Sequence, residues 1–105
     1  MSNGPMAICR LGDLCTGHAC WPPRPCITAS STVYLNNLPI HCVGDRWASH
    51  CCLHTGDEHH GCHDGYTMGG SSNVYVEGRL AARTGDPISC GSKVGYGTSP
   101  DCYCG

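Results

Sequence analysis

The sequence predicts an all-β domain built from three similar β-hairpins set around an approximate threefold axis. Two observations predict it. First, ASSTVYLNNLPIHCVGD (29–45) aligns without a gap on GSSNVYVEGRLAARTGD (70–86), with a Ser pair, a Val-Tyr pair and a terminal Gly-Asp in common. Second, Gly-Asp occurs in three places, and a potential metal ligand follows each at nearly the same distance: His18 after Asp13, His50 after Asp45 and Cys90 after Asp86. With 15 Gly, 7 Pro and no Phe, the composition favours turns over a large apolar core.

The elements follow in order. ICRLGD (8–13) matches the second half of a repeat. The first full repeat, 29–45, alternates through Val33, Tyr34 and Leu35 and turns at Asn36-Asn37. The second, 70–86, alternates through Val74, Tyr75 and Val76 and turns at Glu77-Gly78. Asx-Asx and x-Gly between β-formers are hairpin signals. TSPDCYC (98–104) matches the first half of a repeat and pairs with 8–13, closing a third hairpin that the chain never connects covalently. The whole chain, 1–105, thus reads as one domain. Within each repeat Val33, Leu35, Val74 and Val76 share one face, and Tyr34 and Tyr75 take the other. One set is expected to fill the interior. In each Gly-Asp unit the glycine supplies permissive backbone angles and the carboxylate accepts backbone N–H bonds.

Composition narrows the function. A chain of 105 residues supports one modest core, and a domain that small needs reinforcement. Charged residues are 13% and the net charge is −2, so no basic face exists for nucleic acid. No apolar run approaches the roughly 20 residues of a membrane span. The amino end, MSNGPMAICRLGD, has neither a basic nor an apolar leader region, so synthesis in the cytoplasm without a signal peptide is expected. Eleven cysteines would suit a secreted disulfide scaffold, but 7 histidines among them favour metal ligation.

Residues just beyond three Gly-Asp turns around one axis converge on it, which brings together His18, His50 and Cys90. Structural zinc takes four thiolate or imidazole ligands. The fourth lies among Cys51, Cys52, His54, His59, His60, Cys62 and His63 in the long connection, and spacing alone does not choose. Asp64 or a backbone carbonyl would orient an imidazole from outside the shell. Cys51-Cys52 and the Cys102, Cys104 pair could bind a second metal or form disulfides. A nucleophilic pair of Cys52 and His54 would need a cleft and an orienting group that so turn-rich a chain hardly supplies.

GDLCTGHACWPPRP (12–25), the two hairpin repeats and LAARTGDPISCGS (80–92) together resemble a PAAR-repeat protein, of the compact kind found in contractile phage tails and type VI secretion systems. The resemblance runs from Ile8 to Cys104. The family's tetrapeptide appears here as Leu80-Ala81-Ala82-Arg83 and Pro39-Ile40-His41-Cys42, and the cysteine surplus is unusual. The resemblance implies a small cone of hairpins with one zinc near the vertex, held by His18, His50, His63 and Cys90, with His60 as the runner-up to His63. Such a closed shell leaves no place for an activated water, so no enzyme is implied. The implied partner is a trimeric β-helical spike, capped by one copy per trimer and driven through a target envelope, touching it transiently without stable insertion. That places the protein at the tail baseplate spike tip of a virion, or among proteins secreted through a contractile machine. The alternative is a small metal-buffering Cys/His module.

Overall fold

A computed structural model describes residues 5–52 and 61–105. Among them there is no helix, and none long and apolar enough to cross a membrane. The strands are short: β1 (Met6–Ala7), β2 (Leu14–Cys15), β3 (Tyr34–Leu35), β4 (Leu38–Pro39), β5 (Arg46–Cys51), β6 (Cys62–Tyr66), β7 (Tyr75–Val76), β8 (Arg79–Leu80), β9 (Val94–Tyr96) and β10 (Tyr103–Cys104). All pair antiparallel, as β1–β10, β2–β9, β3–β4, β5–β6 and β7–β8.

The β3–β4 and β7–β8 hairpins turn through left-handed backbone, with φ of 54° and 66° at Asn36 and Asn37, and 54° and 82° at Glu77 and Gly78. Two successive positive φ angles match the right-handed twist of the flanking strands. A serine opens each of three equivalent strands. The Ser30 hydroxyl accepts the Thr32 and Val33 N–H groups, Ser71 those of Asn73 and Val74, and Ser99 those of Asp101 and Cys102. Neighbouring hairpins are latched by polar contacts. Glu77 accepts from the Ser31 and Thr32 hydroxyls, the Ser99 hydroxyl donates to Asn36, and Ser71 donates to the Gly105 carbonyl.

Above the hairpins, one contact recurs around a closed ring. Cys9 N–H donates to the Ala82 carbonyl at 2.9 Å, Ala82 to His41 at 3.0 Å, and His41 back to Cys9 at 3.0 Å. The three Gly-Asp loops are built alike. Gly12, Gly44 and Gly85 have φ of 91°, 92° and 90°, and each following carboxylate accepts an N–H from three residues back: Arg10 at 2.7 Å, Cys42 at 2.9 Å and Arg83 at 2.7 Å. Arg10 and Arg83 also pair with their own Asp13 and Asp86 through the guanidinium. In the middle loop Cys42 occupies that position, and Arg79 reaches over from β8 to Asp45 at 2.9 Å. The departure from the tetrapeptide is therefore compensated from the neighbouring hairpin.

The buried apolar side chains form two small cores. The hairpin core holds Ile8, Ile40, Cys42, Val76, Ala81 and Cys104, with Leu35 and Val74 at its edge. The loop core holds Cys9, Cys15, Cys26, Trp47, Ala82, Ile88 and Val94. Trp47 does much of the filling that the absent phenylalanines would do; it is fully buried and donates its indole N–H to Thr67 at 2.8 Å. The face containing Leu35, Val74 and Val76 points inward, whereas Tyr34, Tyr75 and Tyr103 are exposed. Val33 departs from its alternation partners: it is exposed, at the point where the chain is still leaving the Ser30 turn.

Candidate metal centre

Three segments deliver the site. The β5–β6 pair sets His50 directly opposite His63, and the next register position pairs Cys51 with Cys62. His18 lies in a tight loop where His18 and Trp21 exchange backbone hydrogen bonds at 2.9 and 2.8 Å. Gly17 permits that loop: its φ is 73°, and a Cβ there would lie 2.6 Å from the Trp21 carbonyl oxygen. Cys90 sits in the turn closed by the Ile88 N–H bond to the Ser92 carbonyl, 2.9 Å.

The four ligand atoms of His18, His50, His63 and Cys90 lie within 4.8 Å of one another. The Nε2 atom of His63 is 3.0 Å from that of His18 and 2.7 Å from that of His50. Burial is the main influence lowering the His18 pKa, helped by the His63 and Arg24 charges; burial likewise lowers that of His50, against the pull of the Pro22 carbonyl. Neutral imidazoles are what a metal requires. The Pro22 carbonyl lies 2.8 Å from His50 Nδ1 and accepts its proton, which leaves the Nε2 lone pair bare and aimed inward. Three ring nitrogens at such distances cannot all be satisfied among themselves, because one proton on His63 Nε2 serves at most one well-aligned contact. A cation at their common focus satisfies all of them, and a thiol beside them supplies anionic charge. The donor set fits a tetrahedral ion.

Aromatic and covalent contacts brace the cluster. Trp21 stacks on His18 with ring centroids 5.0 Å apart, and its indole donates to the Gly61 carbonyl at 2.7 Å. Two disulfides, Cys20–Cys52 and Cys51–Cys62, join the residues flanking the histidines. Cys51, Cys52 and Cys62 are thereby accounted for as cross-links rather than ligands. Cys102 and Cys104 are free thiols outside the cluster, Cys104 within the hairpin core. Asp64 is exposed and pairs with Arg46 at 3.1 Å, so the carbonyl of Pro22 orients an imidazole and Asp64 does not. His54, His59 and His60 lie outside the described residues.

Two residues beside the cluster, Cys15 and Arg24, were not singled out by the motif spacing. Arg24 is buried, and its guanidinium donates to the sulfurs of Cys15 at 3.0 Å and Cys90 at 3.3 Å. Burial alone raises the Cys15 thiol pKa, but N–H bonds from Arg24 and Gly17 bring it below its ordinary value. Only the Pro-Arg-Pro setting of Arg24 marks it, as a side chain held by a stiff turn.

A family model described as PAAR motif matches residues 16–95, a span that takes in all four clustered residues. No curated protein matches the chain.

Proposed function

Because this chain belongs to the PAAR-motif family, the structural spike-tip proteins of contractile injection machines, we propose that it caps and sharpens a trimeric β-helical spike, one copy per trimer, for piercing a target envelope. The observation that carries this reading is the closed ring of Cys9, His41 and Ala82 hydrogen bonds. Such a ring suits three hairpins set about one line, in which a single chain would offer three similar edges to a threefold partner. The exposed turns at Asn36-Asn37 and Glu77-Gly78, away from the histidine cluster in sequence and in core, form the docking base. Unpaired strand edges there are an association hazard until a partner covers them.

His18, His50, His63 and Cys90 hold one zinc, which ties three distant segments together at the tip. An imidazole-rich set with one thiolate and no free position suits a structural ion rather than a hydrolytic one. The metal-buffer alternative fares less well, because most of the remaining thiols are buried in two apolar cores. Mixing the protein with the purified spike of the same particle and measuring complex mass tests the reading. One copy per trimer is expected, over an interface on the order of 1,000 Å² or more. Three copies per trimer, or no binding, would refute capping. Several exchangeable ions per chain would favour the buffer instead.

A further inference from the structure

Arg24 poses an electrostatic problem. A guanidinium stays charged at any accessible pH, and a buried charge needs a compensating partner. Arg24 is 4% exposed, and among the described residues no carboxylate lies within ion-pair distance of it. Its donors go elsewhere. Nε donates to the Ala48 carbonyl at 2.7 Å, Nη1 to Cys15 Sγ at 3.0 Å and Nη2 to Cys90 Sγ at 3.3 Å. The guanidinium carbon stands 5.5 Å from the Trp47 ring centroid. Gly65 on β6 lets it lie so close, since a Cβ there would come within 3.3 Å of Nη2.

Cys15 is surrounded by donors. Besides Nη1, its sulfur accepts the backbone N–H groups of Gly17 and Arg24, both at 3.4 Å. Three N–H groups converging on one fully buried sulfur suit an anion, and a neutral thiol would leave most of that field unused. Cys15 is absent from the four-residue cluster, so it does not share the ion. One thiolate cannot balance a divalent cation and a guanidinium together.

We propose that Arg24 is a positioning residue of the metal centre: its guanidinium spans two sulfurs, aims Cys90 at the three imidazoles, and takes its counter-charge from Cys15, a second thiolate that binds no metal. This rests on the metal reading above. It gives Cys15 a task distinct from packing, and it explains why a cation is tolerated beside a site that must accept another. The planar guanidinium holds donors on two separate nitrogens towards the two sulfurs, whereas an ammonium carries all its donors on one nitrogen and bridges them less well.

Protein loaded with cadmium-113 in place of zinc gives the test without any substitution. Coupling from cadmium to the Arg24 Nη protons, carried through the N–H···Sγ bond of Cys90, is expected beside couplings to the three imidazoles. Couplings to Cys90 and the histidines with a resolved Arg24 guanidinium that shows none would overturn this proposal and leave the metal reading standing. Cadmium bound elsewhere would overturn both. Variants add a second readout. Arg24→Met should weaken zinc binding by about 10–100-fold, as loss of an outer partner does. It should also move the thiolate-to-metal charge-transfer band of the cobalt-loaded protein to longer wavelength, with Arg24→Lys in between. Cys15→Ala alone should also weaken binding, and Cys15→Ala with Arg24→Met should lose less than the two losses combined. An unmoved band or strictly additive losses would reduce Arg24 to ordinary packing.

Discussion

His50 and His63 face each other across the β5–β6 pair with Nε2 atoms 2.7 Å apart, one register position from the Cys51–Cys62 disulfide. A covalent staple beside the pair fixes its spacing before any ion arrives. Two of the four clustered residues are thus pre-organised by strand register, and the other two come from short loops, one permitted by Gly17 and the other closed by the Ile88–Ser92 turn. A site assembled this way spends little of its binding free energy on ordering the chain.

The first consequence concerns the ion. Purified protein should carry one tightly held zinc per chain, and His63→Ala or Cys90→Ser should abolish that stoichiometry and lower the melting temperature strongly, because the cores are small. Elemental analysis and thermal melts check it together. A variant that keeps its zinc and melts like the parent would remove that residue from the ligand set. Chelators should strip the native protein slowly and the acidified protein fast, as imidazole protonation competes with the metal.

The disulfides give a count. Four cysteines are paired and seven are free. Denatured protein should therefore take up seven alkyl groups by intact mass, and four more after reduction. Replacing Cys51 and Cys62 by Ala together should cost about 3 kcal/mol, the entropy of the short closed loop, measured by denaturant unfolding with zinc saturating. Eleven groups before reduction would show that neither cross-link forms in the purified protein.

Much of this was legible in the residues, and the reasons differ by element. Asn36-Asn37 and Glu77-Gly78 are local signals, since the turn type demands left-handed backbone at those positions. His18, His50 and Cys90 were legible because a repeat carries register: equivalent loops place equivalent side chains together. His63 was not chosen by spacing, because any of several residues in the long connection satisfies it; the β5–β6 register puts it opposite His50. The pairings Cys20–Cys52 and Cys51–Cys62 are likewise properties of three-dimensional placement. Arg79 standing in for the arginine missing at Cys42 was invisible, since the compensation crosses between hairpins.

Backbone strain can be tested apart from packing at Gly78. Its φ is 82°, and nothing lies within 4 Å of where a Cβ would sit. Gly78→Ala should therefore cost about 1–2 kcal/mol from the left-handed conformation alone, with zinc content unchanged. Chemical denaturation gives the number. A neutral result would mean that the β7–β8 turn relaxes to another type.

Asp13 and Asp45, two of the three buried aspartates, provide the sharpest test of the loop electrostatics, because they sit in equivalent loops and shift in opposite directions. Burial is the largest influence on Asp13 and raises its pKa, outweighing an Arg10 guanidinium whose contacts with it are 3.3 and 3.4 Å and whose Nη atoms also serve Gly97 and Asn36. Burial raises Asp45 too, but Arg79 at 2.9 Å, the Cys42 N–H and the Thr28 hydroxyl together hold it below the ordinary value. The signs follow from linkage. Asp45, depressed in the fold, contributes stability that is present above its unfolded pKa and lost as pH falls through its folded one. Asp13, raised in the fold, contributes stability that is present below its unfolded pKa and lost as pH rises through its folded one. The cost of Asp45→Asn should therefore grow from acid to neutral pH, while that of Asp13→Asn should shrink over the same range. Denaturant midpoints for both variants and the parent at several pH values check this. Release of zinc at acid pH acts on both loops alike, so it cannot produce slopes of opposite sign. If both costs shrink, Arg79 does not replace the missing arginine of the middle loop; if both grow, Arg10 outweighs burial at Asp13.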